Sequence, residues 1–413
     1  MELAAELAHD AAERLIRYVQ IDTQSDEDST SYPSTEKQLD LLRLLQGELE
    51  EIGLDHVSMD EHGYVTATIP ATVDGDVPTI AFFAHVDTAR EVTGANVNPQ
   101  RFRYQGGDIE LGNGHVIRPA ESPQLVHHAG HELITTDGTT LLGADDKAGV
   151  AEIMAAAAYL VAHPEVPHGT IKVAFNPDEE VGRGVIHFPV KSFGAHAGYT
   201  LDGSTVGEIQ EETFSGAQVR MHIRGRSIHP GLAKGELVNA VKLAADLVGR
   251  LPKDRLSPET TSGREGYVHP ILINGDASEL ELRFIVRDFD DAELDRSVEY
   301  LRGLAQEVAA TDPRCSIDVD ARIQYRNMRA TLEQFPEIVE NLEEAVRRIG
   351  FEPKRTAIRG GTDGSALTEM GLPTPNIYTG GQDAHSEREW ICVEDMGLAA
   401  ATIVELAKVW ARS

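Results

Sequence analysis

Cysteine is nearly absent: Cys315 and Cys392 are the only two in 413 residues, and they lie far apart. Neither a disulfide framework nor a cysteine-built zinc site is therefore indicated. Positive charge is also short. The chain has 37 Lys and Arg against 68 Asp and Glu, a net charge of −31. Nucleic acid and anionic membrane surfaces need clustered basic residues, so both are excluded as expected partners. Long apolar runs are missing too. The longest, around Met154 to Ala162, is too short to span a bilayer. The segment Met1–Asp10 carries acids where a secretory signal needs basic residues and then an apolar stretch. A cytoplasmic location is the expectation.

What is present is an ordinary globular composition, 41% apolar and 25% charged. The length suggests two domains. Residues 1–211 alternate helix-like and strand-like segments, the pattern of an α/β layer fold. Thr79–Ala84, Ile171–Phe175 and Tyr199–Leu201 read as short buried strands. Leu39, Leu42, Leu45, Leu49 and Ile52 keep helical spacing, with Thr35 and Gln38 placed as a capping box and Gly53 as the stop. The style changes after Glu212. Strand Ala217–Arg224, helix Glu236–Arg250, strands Tyr267–Ile273 and Glu279–Phe289, helix Asp291–Ala310 and strand Cys315–Ile323 follow in turn. That βαββαβ order is ferredoxin-like. From 327 onward the α/β style resumes, with a helix over 333–349, a strand near 373–378 and a helix over 393–411. The expected fold is an α/β catalytic domain, residues 1–211 and 327–413, interrupted by a smaller domain at 212–326. Residues 88–135, rich in Gly, Asn and His, read as an excursion of the first domain.

Five short motifs place His, Asp or Glu after apolar strands or at turns beside them. They are His85-Val-Asp87, Gly143-Ala-Asp-Asp-Lys147, Pro177-Asp-Glu-Glu180, Leu201-Asp-Gly203 and Gly380-Gly-Gln-Asp-Ala-His385. Each has a bland reading: a core histidine with a turn aspartate, a helix cap, an acidic loop, a turn and an exposed loop histidine. Together they carry more weight, because residues outside the carboxyl ends of strands in an open α/β sheet share one crevice. Nitrogen and oxygen donors without thiolate suit Zn, Mn or Co. Neighbouring Glu179 and Glu180 point to opposite sides of an extended chain. One acid could therefore hold a metal while the other moves protons, the division that hydrolysis of an amide requires.

Further segments extend the pattern along nearly the whole chain. They are Asp22-Thr-Gln-Ser25, Pro33-Ser-Thr-Glu36, Asn96-Val-Asn-Pro99, Leu142-Gly-Ala-Asp-Asp-Lys-Ala-Gly149, His229-Pro-Gly231, Ile285-Val-Arg-Asp-Phe-Asp290 and Arg359-Gly-Gly-Thr-Asp-Gly364. With these the sequence resembles the peptidase T branch of the co-catalytic zinc peptidases, which also include aminoacylases and carboxypeptidase G. The resemblance implies a zinc-peptidase domain with a mixed sheet, interrupted by a ferredoxin-like lid that can join two copies into a homodimer. It implies two Zn²⁺, with Co²⁺ or Mn²⁺ as substitutes, bridged by Asp145. His85 and Asp202 would hold one ion, Glu180 and His385 the other. Asp87 would orient His85, and Glu179 would be the general base. The Asp145–Asp146 peptide bond would be cis.

The resemblance also assigns His229 to the oxyanion. Arg287, Asn327 and Arg359 become candidates for the peptide's carboxylate, for which Arg suits bidentate pairing. The expected activity is removal of the N-terminal residue from short peptides, tripeptides foremost. An N-acyl-amino-acid deacylase or carboxypeptidase on the same scaffold is the rival, and a metal-free peptide-binding protein a more distant one. The segment Gly381–Arg388 departs from the branch's pattern around His385, so side-chain specificity is not carried over there.

Overall fold

The computed structural model describes residues 2–412. The chain divides into two compact units. The larger comprises the chain through Glu211, Met328–Thr356 and the segment from Thr362 onward; the smaller comprises Glu212–Asn327 and Ala357–Gly361.

The larger unit is organised on an eight-stranded mixed sheet. Its order is Asp55–Met59, Val65–Ile69, Ile171–Asn176, Ile80–His85, Ala197–Gly203, Asn376–Tyr378, Glu208–Thr213 and Lys354–Ile358. The four strands from Ile171–Asn176 to Asn376–Tyr378 run parallel, so their carboxyl ends meet along one edge. Ile80–His85 is buried on both faces, as a central parallel strand covered by helices must be. Against it packs helix Ala144–Ala162, rich in alanine and buried nearly all round. Helices Glu2–Tyr18 and Val393–Trp410 complete that layer of the core.

The helix expected from the leucine spacing spans Gln38–Ile52 and ends on Gly53, whose φ of 95° lets its N–H reach the Leu49 and Glu50 carbonyls. The capping box does not form. Lys37 occupies the cap, the Thr35 hydroxyl donates to Gln24 O at 2.8 Å, and Gln38 turns its side chain to Asp178. The excursion contributes strands Gln100–Arg103 and Glu132–Thr135, joined by Trp390–Cys392 in a three-stranded sheet.

The smaller unit is a four-stranded antiparallel sheet in the order Tyr267–Gly275, Glu279–Asp288, Ser215–Arg224 and Ser316–Tyr325. Along Ser215–Arg224, Ala217, Val219, Met221 and Ile223 are buried while Arg220, His222 and Arg224 are exposed. One face therefore packs on helices Ala240–Gly249 and Asp291–Ala309, giving the βαββαβ order. The first of these helices begins at Ala240, later than the pattern suggests, because Asn239 caps it through the Lys242 N–H.

Candidate active site

The parallel strands deliver the acidic and imidazole residues to one edge of the large sheet. His85 is the last residue of its strand, and Asp87 lies two residues on. Asp202 sits near the end of Ala197–Gly203. Glu179 and Glu180 follow Ile171–Asn176 after Asp178, which has a φ of 63°. The Asp178 carboxylate accepts the Ser34 N–H at 2.7 Å and the Gln38 side-chain amide at 2.8 Å, anchoring that turn. Asp145 enters at the start of helix Ala144–Ala162, where it and Asp146 depart from helical geometry and share a cis peptide bond. His385 comes from the loop after Asn376–Tyr378.

Asp145 stands between the two imidazoles. Its Oδ1 is 3.2 Å from His85 Nε2 and its Oδ2 is 3.3 Å from His385 Nε2. On one side Asp202 Oδ1 lies 3.9 Å from His85 Nε2. On the other, Glu180 Oε1 lies 3.0 Å from His385 Nε2. Glu179 Oε2 is 3.9 Å from His85 Nε2. Asp87 is fully buried; its Oδ1 is 3.3 Å from His85 Nδ1, and its two oxygens accept the backbone N–H groups of Glu179 and Glu180.

Burial raises Asp202 and Glu179 well above the usual carboxylate range, and Asp145 adds to the effect at Asp202. Burial, with Asp145 beside it, pushes Glu180 up to about 7. Burial disfavours a charged His85, yet the carboxylates of Asp145 and Asp87 outweigh it and raise the imidazole well above its ordinary value. Asp145 and Glu180 raise His385 to about 11. So many acids in one buried space resist ionising unless cations share it.

The donor chemistry agrees. Glu180 Oε1, though 3.0 Å from His385 Nε2, is not in hydrogen-bonding geometry with any described residue, and neither is Asp146 Oδ1. Ligand atoms of His85, Asp145 and Glu180 lie within 4.8 Å of one another, as do those of His85, Asp146 and Asp202. Nitrogen and carboxylate oxygen at these separations fit divalent metal ions. Asp146 thus stands beside Asp145 as a potential donor, with Oδ2 accepting the His85 backbone N–H at 3.2 Å.

Two further acids belong to the site and were not singled out by sequence reasoning. Asp363 accepts the Asn176 side-chain amide at 2.6 Å, and burial pushes it up to about 7. Its signal was its place in Arg359-Gly-Gly-Thr-Asp-Gly364. Glu389 accepts the N–H groups of Leu142, Gly143 and Asp145 at 2.8, 2.7 and 3.0 Å, clamping the turn that presents Asp145. Nothing in its local sequence marks it.

The remaining expected residues lie in the smaller unit. His229 caps a short turn, with Nδ1 accepting the Gly231 N–H at 3.1 Å. Arg287 Nη1 donates to Ala217 O, Val286 O and Gln324 Oε1, and the guanidinium lies over the Tyr325 ring. Asn327 donates to Phe289 O at 3.0 Å and Glu212 Oε1 at 3.3 Å. Arg359 donates to Gly263 O, Glu265 O and Thr261 Oγ1 and lies over the Phe214 and Tyr267 rings.

A sequence profile of peptidase family M20/M25/M40 matches residues 133–409. The chain belongs to this peptidase family. Within it, a peptidase T from Shouchella clausii is 48% identical over 400 residues, covering 97% of this chain and 98% of its own. The crystal structure of the aminopeptidase PepT from Bacillus cereus has a TM-score of 0.73 at 25% identity, covering 98% of this chain and 99% of its own. A tripeptidase from Staphylococcus aureus shares the fold, with a TM-score of 0.76 at 22% identity over 98% of this chain and 99% of its own.

Proposed function

We propose that the chain is a di-zinc aminopeptidase that removes the N-terminal residue from short peptides, tripeptides foremost. The observation that carries this reading is Asp145, whose two carboxylate oxygens face His85 and His385 separately. Likeness to peptidase T over nearly the full chain supports the substrate class.

His85 and Asp202 would hold one ion, His385 and Glu180 the other, with Asp145 shared between them. When bound, such a pair polarises a carbonyl and makes a water more acidic. Glu179 takes the proton of the attacking water and passes it to the amine nitrogen as the peptide bond breaks. Asp87 fixes the His85 ring through Nδ1 and fixes the backbone of Glu179 and Glu180.

His229 stabilises the oxyanion. Because its Nδ1 accepts a backbone N–H, the neutral ring keeps its own proton on Nε2, the donor an oxyanion needs. Arg287, Asn327 and Arg359 are the proposed holders of the peptide's carboxylate. The smaller unit, residues 212–326 in the linear reading, would serve as lid and as the surface of a homodimer. Exposed Ile271 and Ile273 on its edge strand support the dimer. Among the described residues no helix is long and apolar enough to cross a membrane; the cytoplasm is the proposed place of action.

Comparing a free tripeptide with its N-acetylated form tests the assignment. Cleavage of the free peptide alone is expected; preference for the acetylated one would make the protein a deacylase or carboxypeptidase. No hydrolysis of either after zinc reconstitution would leave only a binding role.

A further inference from the structure

Away from the large sheet's edge, a second group of metal-binding side chains converges where the excursion meets the C-terminal helix. Strand Glu132–Thr135 pairs antiparallel with Trp390–Cys392, placing Cys392 opposite Leu133. His131 immediately precedes the first strand, and His128 follows the short turn Pro123–His127. Glu394 lies in the first turn of helix Val393–Trp410. Two pairs of donors, His128-x-x-His131 and Cys392-x-Glu394, are thus brought together from widely separated parts of the chain.

Their separations are specific. His128 Nδ1 and His131 Nδ1 are 3.3 Å apart, His131 Nδ1 and Cys392 Sγ 3.9 Å, and Cys392 Sγ and Glu394 Oε2 3.4 Å. With metal–nitrogen bonds of about 2.0–2.1 Å and a metal–sulfur bond of about 2.3 Å, a tetrahedral zinc site has edges of about 3.4 Å between nitrogens and about 3.6 Å from sulfur to nitrogen or oxygen. The observed spacings lie close to those edges. Ligand atoms of His128, His131 and Cys392 fall within 4.8 Å of one another, and Glu394 joins this trio through its approach to Cys392 Sγ.

The supporting contacts are those a ligand set requires. His128 Nε2 lies 3.5 Å from Asp395 Oδ2, which directs Nδ1 toward the cluster. The His128 ring meets the Trp390 ring edge to face. The Glu394 carboxylate is steadied by the Glu132 N–H at 3.0 Å. Cys392 and His128 are buried and His131 is partly exposed, leaving a side from which an ion can enter.

We propose that His128, His131, Cys392 and Glu394 form a structural site for one Zn²⁺, separate from the catalytic centre. One thiolate and one carboxylate neutralise the ion, so the site can be buried; the thiol proton is released to solvent on binding. The ion would staple the excursion to the segment that carries Glu389, and through it the turn presenting Asp145.

Cobalt substitution of the full-length protein tests this without reference to peptidase activity. The proposed catalytic ligands are all nitrogen and oxygen, so a thiolate-to-cobalt charge-transfer band reports on cysteine alone. We expect the wild type and Cys315→Ser to show the band and to hold three equivalents of metal. Cys392→Ser should lose the band and one equivalent, and His131→Ala should lose one equivalent. A wild type without the band at saturating Co²⁺, or a band that survives in Cys392→Ser, overturns the proposal. If Cys392→Ser does not fold, the wild-type spectrum still decides.

Discussion

Asp87 Oδ1 accepts the backbone N–H of Glu179 at 3.0 Å. The same carboxylate takes the Glu180 N–H on its other oxygen and lies against His85 Nδ1. One buried acid therefore sets the backbone of the two glutamates and the ring of a proposed ligand at once. Asp87→Asn replaces one acceptor oxygen with an amide that cannot accept. Metal affinity should fall about 10- to 100-fold, the usual cost of losing a group that orients a ligand. Titration of the metal-free protein with Zn²⁺ measures it, and unchanged affinity would remove Asp87 from this role.

Glu179→Gln keeps the shape of the side chain and deletes its ability to carry a proton. Turnover should fall about a hundred- to ten-thousandfold. Bound metal should stay at the wild-type level. Near-normal turnover at full metal loading would refute the general-base assignment.

His229→Ala should lower kcat by about a hundred- to a thousandfold, the typical effect of removing one oxyanion donor, with metal content unchanged. A lost metal equivalent would instead make His229 a ligand.

At Gly149 a Cβ would collide with the Leu201 carbonyl and with Asp146 Oδ1. The helix that starts at the Asp145 turn thus packs directly on the strand that presents Asp202. Gly149→Ala should destabilise the protein by about 1–3 kcal/mol through overpacking, and it should weaken metal binding by displacing Asp202. Calorimetric unfolding and metal titration measure the two effects. A variant with unaltered metal affinity would show that the strand can shift without carrying its ligand along.

The strands that carry the proposed ligands were legible because central parallel strands are continuous apolar runs, and the acids and histidines stand out at their ends. Edge strands were not. Lys354–Ile358 is largely exposed and offers no apolar run to mark it as a strand. The Thr35 cap failed because local spacing cannot see that Gln38 is claimed by Asp178, 140 residues away. Glu389 was invisible for a related reason: it acts on backbone N–H groups of a distant turn, which leave no side-chain signature. The Cys392 cluster escaped a cysteine count because its nitrogen partners lie some 260 positions earlier.

The proposed ligands are also spread out in time. His85 is made 300 residues before His385, a delay of about 15–60 s at the usual elongation rate of about 5–20 residues per second. Until then the nascent chain holds an incomplete ligand set, whatever its other ligands have done. On these assignments the chain acquires its full set of metal donors only when its own synthesis is nearly over.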